Sequence, residues 1–154
     1  MTRKELFEYI QSIEDPGKDY GKILSNLHYT HYFLLDNYKK ILENYDLTFT
    51  QSNVLSIIAH FHPAAVSLEE IKAMVLEPGS DVSRTVTRLK EKGFVEKVMN
   101  EKNNRKVCIK ISVKGLKTSK KMGADPRFKE ITSGTTLSES RAFVKYLVKL
   151  RKEL

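Results

Sequence analysis

Residues 79–111, GSDVSRTVTRLKEKGFVEKVMNEKNNRKVCIKI, change their hydrophobic period halfway along. In the first half Val82, Val86 and Leu89 follow i, i+4, i+7 spacing, the mark of a helix with one apolar face. That helix is expected over about Ser80–Lys92, with Gly93 closing it in a left-handed conformation. From Phe94 the period becomes two. Phe94–Met99 predicts one strand, and Val107, Ile109 and Ile111, alternating with Cys108 and Lys110, predict a second. Between them Asn100–Lys106 is wholly polar and contains an Asn-Asn pair, where left-handed backbone is tolerated. The two strands therefore form a hairpin with a polar tip.

Two short helices are expected before this stretch. Thr48-Phe-Thr-Gln51 has capping-box spacing and leads into Val54, Leu55, Ile58 and Phe61, with Pro63 ending the helix. Ser67-Leu-Glu-Glu70 repeats the pattern ahead of Leu68, Ile71, Met74 and Val75, and Glu77-Pro78-Gly79 makes a turn. Helix, helix, turn, helix, strand, polar loop, strand is the winged helix-turn-helix layout.

The flanks are helical. Glu5–Ile13 forms a short helix or arm, ended by Asp15-Pro16-Gly17. From Asp19 to Tyr45, the residues Tyr20, Leu24, Leu27, His31, Leu34, Tyr38, Ile41 and Tyr45 make a heptad seam. Such a helix spans about 40 Å, more than a small domain needs for its own core, and it is expected to pack against a second subunit. The alternative is an intramolecular core helix. Another helix starts at Ser112, 123–134 is the least regular stretch, a loop or a lone turn, and a last helix opens at Thr136-Leu-Ser-Glu139 with Phe143, Leu147, Leu150 and Leu154 as a seam. The fold class is thus mainly α with a two-stranded β-hairpin wing, dimerised through its N- and C-terminal helices. Residues 1–46 form an arm and dimerisation helix, 47–111 the winged domain, and 112–154 the C-terminal helices.

Charge points to the partner. Val82–Lys121 holds 13 Lys/Arg against 3 Asp/Glu, a local excess of +10 in a chain whose net charge is +8. A concentrated basic field attracts polyanions, double-stranded DNA first. On the expected helix Ser80, Asp81, Ser83, Arg84, Thr87 and Arg88 fall on the exposed side. Arginine can pair bidentately with guanine, and short hydroxyls reach base edges or phosphates. Asp81 suits a helix cap better than a groove contact. The hairpin tip offers Lys102, Asn103, Asn104, Arg105 and Lys106 to the backbone or the minor groove.

The segments LTFTQSNVLSII, SLEEI, DVSRTVTRLKEKGFVEK and NNRKVCIKISVKG resemble the MarR family of bacterial transcription regulators across Leu47–Lys117. The resemblance implies a homodimer with interlaced termini that binds a pseudo-palindromic operator, as a repressor or activator. It also implies release by a small phenolic or lipophilic ligand. It places Ser80, Asp81, Ser83 and Arg84 on the base-reading part of the helix and Arg105 at the wing tip. The family usually has an acidic residue two places before that arginine, and Asn103 stands there instead. Tyr29, Tyr32, Phe33, Phe61 and the histidines could line a ligand pocket, although aromatics at such spacing also serve packing.

Other classes fit less well. His28, His31, His60 and His62 lack a carboxylate–cysteine grouping for a metal site. Cys108, flanked by Lys106 and Lys110, could be a redox switch, but the family's oxidation-sensing cysteine lies nearer the N-terminus. No phosphate loop, HExxH or nucleophile motif points to an enzyme, catalytic residue or cofactor. No apolar run approaches a membrane span, the N-terminus lacks an apolar signal core, and the lone cysteine suits a cytoplasmic protein. A winged module that binds protein rather than DNA remains the alternative from a different class.

Overall fold

The centre of the molecule is α3 (Phe49–His60), on which Val54, Leu55 and Ile58 are fully buried. The computed structural model describes residues 2–12, 19–77, 79–100, 103–131 and 133–152. The capping box forms as its spacing predicts. Thr48 Oγ1 accepts from the Gln51 amide at 3.2 Å, and Gln51 Oε1 accepts from the Thr48 amide at 3.1 Å. The second box, Ser67 with Glu70, opens α4 (Leu68–Met74). α5 (Val82–Glu91) follows a turn in which Gly79 has φ +82°. Ile71 of α4 and Val82, Val86 and Leu89 of α5 join the α3 side chains in one cluster. Each such burial is worth roughly 1.5–3 kcal/mol, which is what locks the three helices together.

The hairpin belongs to a larger sheet than expected. β1 (Val66–Ser67), β2 (Val95–Asn100) and β3 (Asn103–Ile111) are antiparallel in the order β1-β3-β2. Val66 pairs with Ile109 and Ser67 with Cys108. Two residues cannot display an alternation, so β1 leaves no periodic trace in the sequence. Pairing in the hairpin also continues into the polar segment. After Met99↔Val107 the register shifts, and Asn100 pairs with Asn103.

The remaining helices are α1 (Arg3–Ser12), α2 (Asp19–Glu43), α6 (Val113–Gly123), α7 (Pro126–Glu130) and α8 (Leu137–Lys152). The expected end of the first helix at Ile13 and the Asp15-Pro16-Gly17 turn lie outside the described residues, as does Pro78. α2 stops at Glu43, two residues short of the expected Tyr45, and its seam divides into two halves. Tyr38 and Ile41 of the seam pack inward with the neighbouring Leu42, whereas Leu24 of the seam and the neighbouring Ile23, Tyr32 and Phe33 are each at least 50% exposed.

The stretch 123–134 is not wholly irregular, because it holds α7. Asp125 caps that helix by accepting from the Arg127 amide at 3.0 Å, with Pro126 at its first position. Five residues are too few for a periodic signal. α8 begins at the third capping box, where Glu139 Oε2 accepts from the Thr136 amide at 2.7 Å. Phe143, Val144, Tyr146 and Leu150 on α8 are all exposed.

Candidate nucleic-acid interface

α5 presents one buried and one open face. Val82 and Val86 are 1% exposed and Leu89 0%, while Ser83, Arg84, Thr87 and Arg88 are exposed. The helix begins later than its periodicity predicts. Asp81 is its N-cap, accepting from the Arg84 amide at 2.9 Å, so Ser80 stands before the helix rather than in its first turn. A carboxylate at this position satisfies an orphan amide and complements the helix dipole. Thr87 Oγ1 donates to the Ser83 carbonyl at 3.0 Å. Its proton is therefore engaged, leaving oxygen lone pairs and a methyl group to face outward. Those groups match a donor base edge or a thymine methyl.

The first turn of α3 lies beside this surface. Thr48, Thr50 and Gln51 line a polar cleft of about 230 Å³ with Ser80, Asp81, Arg84, Thr85 and Arg88. Ser80 Oγ is buried and has no hydrogen-bond partner among the described residues. Sequence patterning marked Thr48 only as a cap. Nothing local signals that it sits against residues some 35 positions later.

The wing follows directly. The Met99–Val107 cross-strand pair is half exposed, at 55% and 50%, beyond the point where Val95, Ile109 and Ile111 enter the core. Lys102 lies outside the described residues, as do the side chains of Asn103, Asn104, Arg105 and Lys106. The basic excess is divided between elements, as the expected helix from Ser112 implies. Lys114, Lys117, Lys120 and Lys121 stand on α6, not on α5 or the wing. Lys92 and Lys114 are engaged by the protein itself. Lys92 Nζ contacts Asp46, and Lys114 Nζ donates to the Lys92 carbonyl at 2.6 Å and lies 4.6 Å from the Phe94 ring centroid.

The aromatic residues considered for a pocket separate. Tyr29, Tyr32 and Phe33 line a cleft of about 540 Å³ with Leu6 and Phe7 of α1, where Phe7 stacks on Tyr29 at 4.3 Å. Phe61 is not among them and packs edge-on against His60 at 5.7 Å. A second, mainly apolar cleft of about 360 Å³ lies between α2, α3, α6 and α7, lined by Tyr38, Leu42, Phe49, Met122 and Phe128 among others. It was not evident in the sequence, because its walls come from four separate helices. Cys108 is 4% exposed within β3, a setting in which a thiol is ordinarily inert. Among the described residues no three His, Cys, Asp or Glu side chains are grouped to hold a metal ion, and no helix is long and apolar enough to cross a membrane.

With the helix, cleft and wing in place, comparison with known proteins is decisive at the family level. The family model for the transcriptional regulators SarA/Rot matches residues 36–122, more than half of the chain. The chain belongs to the SarA/Rot family. Its members are regulators of transcription, not enzymes. The SarA/Rot match runs from the inward-packed half of α2 through the winged region to Met122. A curated relative, the HTH-type transcriptional regulator TtmR of Methylorubrum extorquens (strain PA1), is 27% identical over 117 residues, which are 76% of this chain. The match spans only 59% of TtmR's own length. Among solved structures, a MarR-like transcription regulator from Bacillus cereus ATCC 10987 superposes with a TM-score of 0.75 at 22% identity, covering 88% of this chain and 98% of that one. The MepR–DNA complex of S. aureus superposes with a TM-score of 0.68 at 17% identity, covering 100% and 99%. These likenesses establish the winged-helix fold of MarR-type regulators for this SarA/Rot member.

Proposed function

We propose that this protein is a sequence-specific DNA-binding repressor that acts in the cytoplasm as a homodimer on a pseudo-palindromic operator. The observation that carries this reading is the two-faced α5, anchored by Val82, Val86 and Leu89, with Ser83, Arg84, Thr87 and Arg88 open to a groove. Residues 47–111 bind the duplex. Ser80, Ser83, Arg84, Thr87 and Arg88 approach base edges and nearby phosphates, and Asp81 shapes the helix start. Lys102, Asn103, Asn104, Arg105 and Lys106 supply the wing contacts. Segments 1–46 and 112–154 dimerise through the apolar surface left open on α2 and α8, to which the α1–α2 cleft contributes Tyr32 and Phe33. The cleft between Tyr38, Phe49 and Phe128 is of a size and polarity to take a small lipophilic ligand that releases the operator. The MepR–DNA complex among its structural neighbours and its family of regulators support the reading.

Selection of duplexes from a random pool tests it. Wild-type protein should enrich a site with two half-sites about one helical turn apart, and binding should weaken steeply as salt rises. Arg84→Ala should cost about 1–3 kcal/mol and relax preference at one base pair per half-site. Undiminished operator binding by both Arg84→Ala and Arg105→Ala would sink the assignment and favour a protein-binding module instead.

A further inference from the structure

The turn that leads into α5 and the residue that ends it are both tied to one stretch of chain, the corner that joins α2 to α3 and the first turns of α3. In the turn between α4 and α5, Thr50 Oγ1 donates to Glu77 Oε2 at 2.5 Å, and the Leu76 amide donates to Asn53 Oδ1 at 3.0 Å. At its exit Lys92, the C-cap residue, donates Nζ to the backbone carbonyl of Asp46 at 2.5 Å and to its carboxylate at 2.9 Å. Asp46 adopts φ +54°, a left-handed backbone that costs a side-chain-bearing residue roughly 1–2 kcal/mol, with aspartate among those that tolerate it. Its neighbour Tyr45 is held in turn by Asp125, which also takes two hydrogen bonds from the Arg127 guanidinium. The corner is therefore anchored to the scaffold on one side and grips the end of α5 on the other.

We propose that the Asp46–Lys92 pair is a positioning contact that sets the pitch at which α5 is presented, so that both residues govern sequence discrimination without touching DNA. The proposal rests on the DNA-binding reading above. α5 is 10 residues long, about 15 Å, and it turns on a core face of three side chains. A tilt at the Lys92 end displaces Ser83 and Arg84 at the other end by a comparable distance, and a bidentate arginine–base pair tolerates little displacement. The Asp46 side chain is 81% exposed, so the ion pair adds little to stability and its removal leaves the fold in place.

Asp46→Gly tests the idea, because glycine keeps the left-handed backbone and removes only the carboxylate. Deleting an acidic group should, by charge alone, strengthen binding to every duplex. A positioning role predicts the opposite for the duplex that wild-type protein enriches from a random pool, with binding weaker by about two- to five-fold. Binding to a scrambled duplex of the same length should be unchanged or tighter. Lys92→Met should likewise lower the ratio of selected to scrambled affinity, and Lys92→Arg should restore most of it, with melting temperatures of all variants close to wild type. Because the Asp46 carbonyl still accepts from Lys92 in Asp46→Gly, a wild-type ratio in Lys92→Met, which removes both contacts, or an equal change on both duplexes, overturns the positioning role alone. Failure of the wild-type protein to enrich any duplex overturns it together with the DNA-binding reading.

Discussion

Tyr45, just past the end of α2, donates its hydroxyl to the Asp125 carboxylate across 2.6 Å and 80 positions of sequence. Asp125 is 8% exposed and also receives the Arg127 guanidinium, so the three side chains clasp α7 to the end of the long helix. Hydrogen bonds from Arg127, then from Tyr45, hold the Asp125 carboxyl well below its ordinary value of 3.8. The hydrogen bond to Asp125, reinforced by desolvation, pushes the Tyr45 hydroxyl above 10.0.

The signs of these shifts define a pH window for the clasp. A depressed carboxyl contributes stability above its unfolded pKa and loses it as pH falls through the folded one. A raised phenol contributes below its unfolded pKa and loses it as pH rises through the folded one. Asp125→Asn should therefore lower the melting temperature throughout about pH 5–9, and its deficit relative to wild type should shrink in stronger acid. A deficit independent of pH down to acid unfolding would contradict the ionised clasp.

Gly115 in α6 lies against the backbone carbonyl of Phe94, so close that a Cβ there would overlap that oxygen. Ser112 prepares the approach, since its amide donates to the Phe94 carbonyl at 3.0 Å and its hydroxyl to the Gly93 carbonyl at 2.7 Å. Gly115→Ala should destabilise by about 1–3 kcal/mol, or lower the melting temperature by roughly 3–9 °C. Thermal denaturation reads this directly, and an unchanged melting temperature would show that α6 shifts without cost.

Asp81 separates capping from DNA contact. Asp81→Ala should cost about 1 kcal/mol of stability, whereas Asp81→Asn should keep most of the cap. Both remove a negative charge beside the proposed duplex. Filter binding to non-specific DNA should therefore tighten modestly for each, while denaturation separates them. Loss of operator binding by Asp81→Asn at full stability would instead make this carboxylate a base contact.

The open apolar surface should be covered in solution by a second copy. Tyr32→Glu on α2 and Phe143→Glu on α8 each place a carboxylate in that surface, and association should weaken by on the order of a hundred-fold. Sedimentation at micromolar concentration tests this. A monomeric wild-type protein would refute the dimer outright.

Much of α5 was legible in sequence because its signals are local. Val82, Val86 and Leu89 share a face through the helical repeat, Asp81 caps because its carboxylate reaches an amide three residues on, and Gly93 takes φ +74° where the helix ends. The start of α5 was misplaced at Ser80, since spacing does not distinguish a capping residue from a first turn. β1 has no trace in the sequence because two residues carry no periodic signal, and 123–134 reads only as a loop or a lone turn because the five residues of α7 carry little more. Thr48, Thr50 and the Lys92–Asp46 contact were invisible for a different reason: they join residues tens of positions apart.

By itself, then, the sequence determined the helices, their caps, the hairpin and the basic segment, all of which depend on neighbours within about four residues or on alternation along a strand. Tertiary structure alone decided which half of α2 packs inward, that the first turn of α3 lines the cleft beside α5, and that Lys92 at the end of α5 meets Asp46. Those outcomes depend on chain segments meeting across the core, where burial and hydrogen-bond geometry, not spacing, choose the partners.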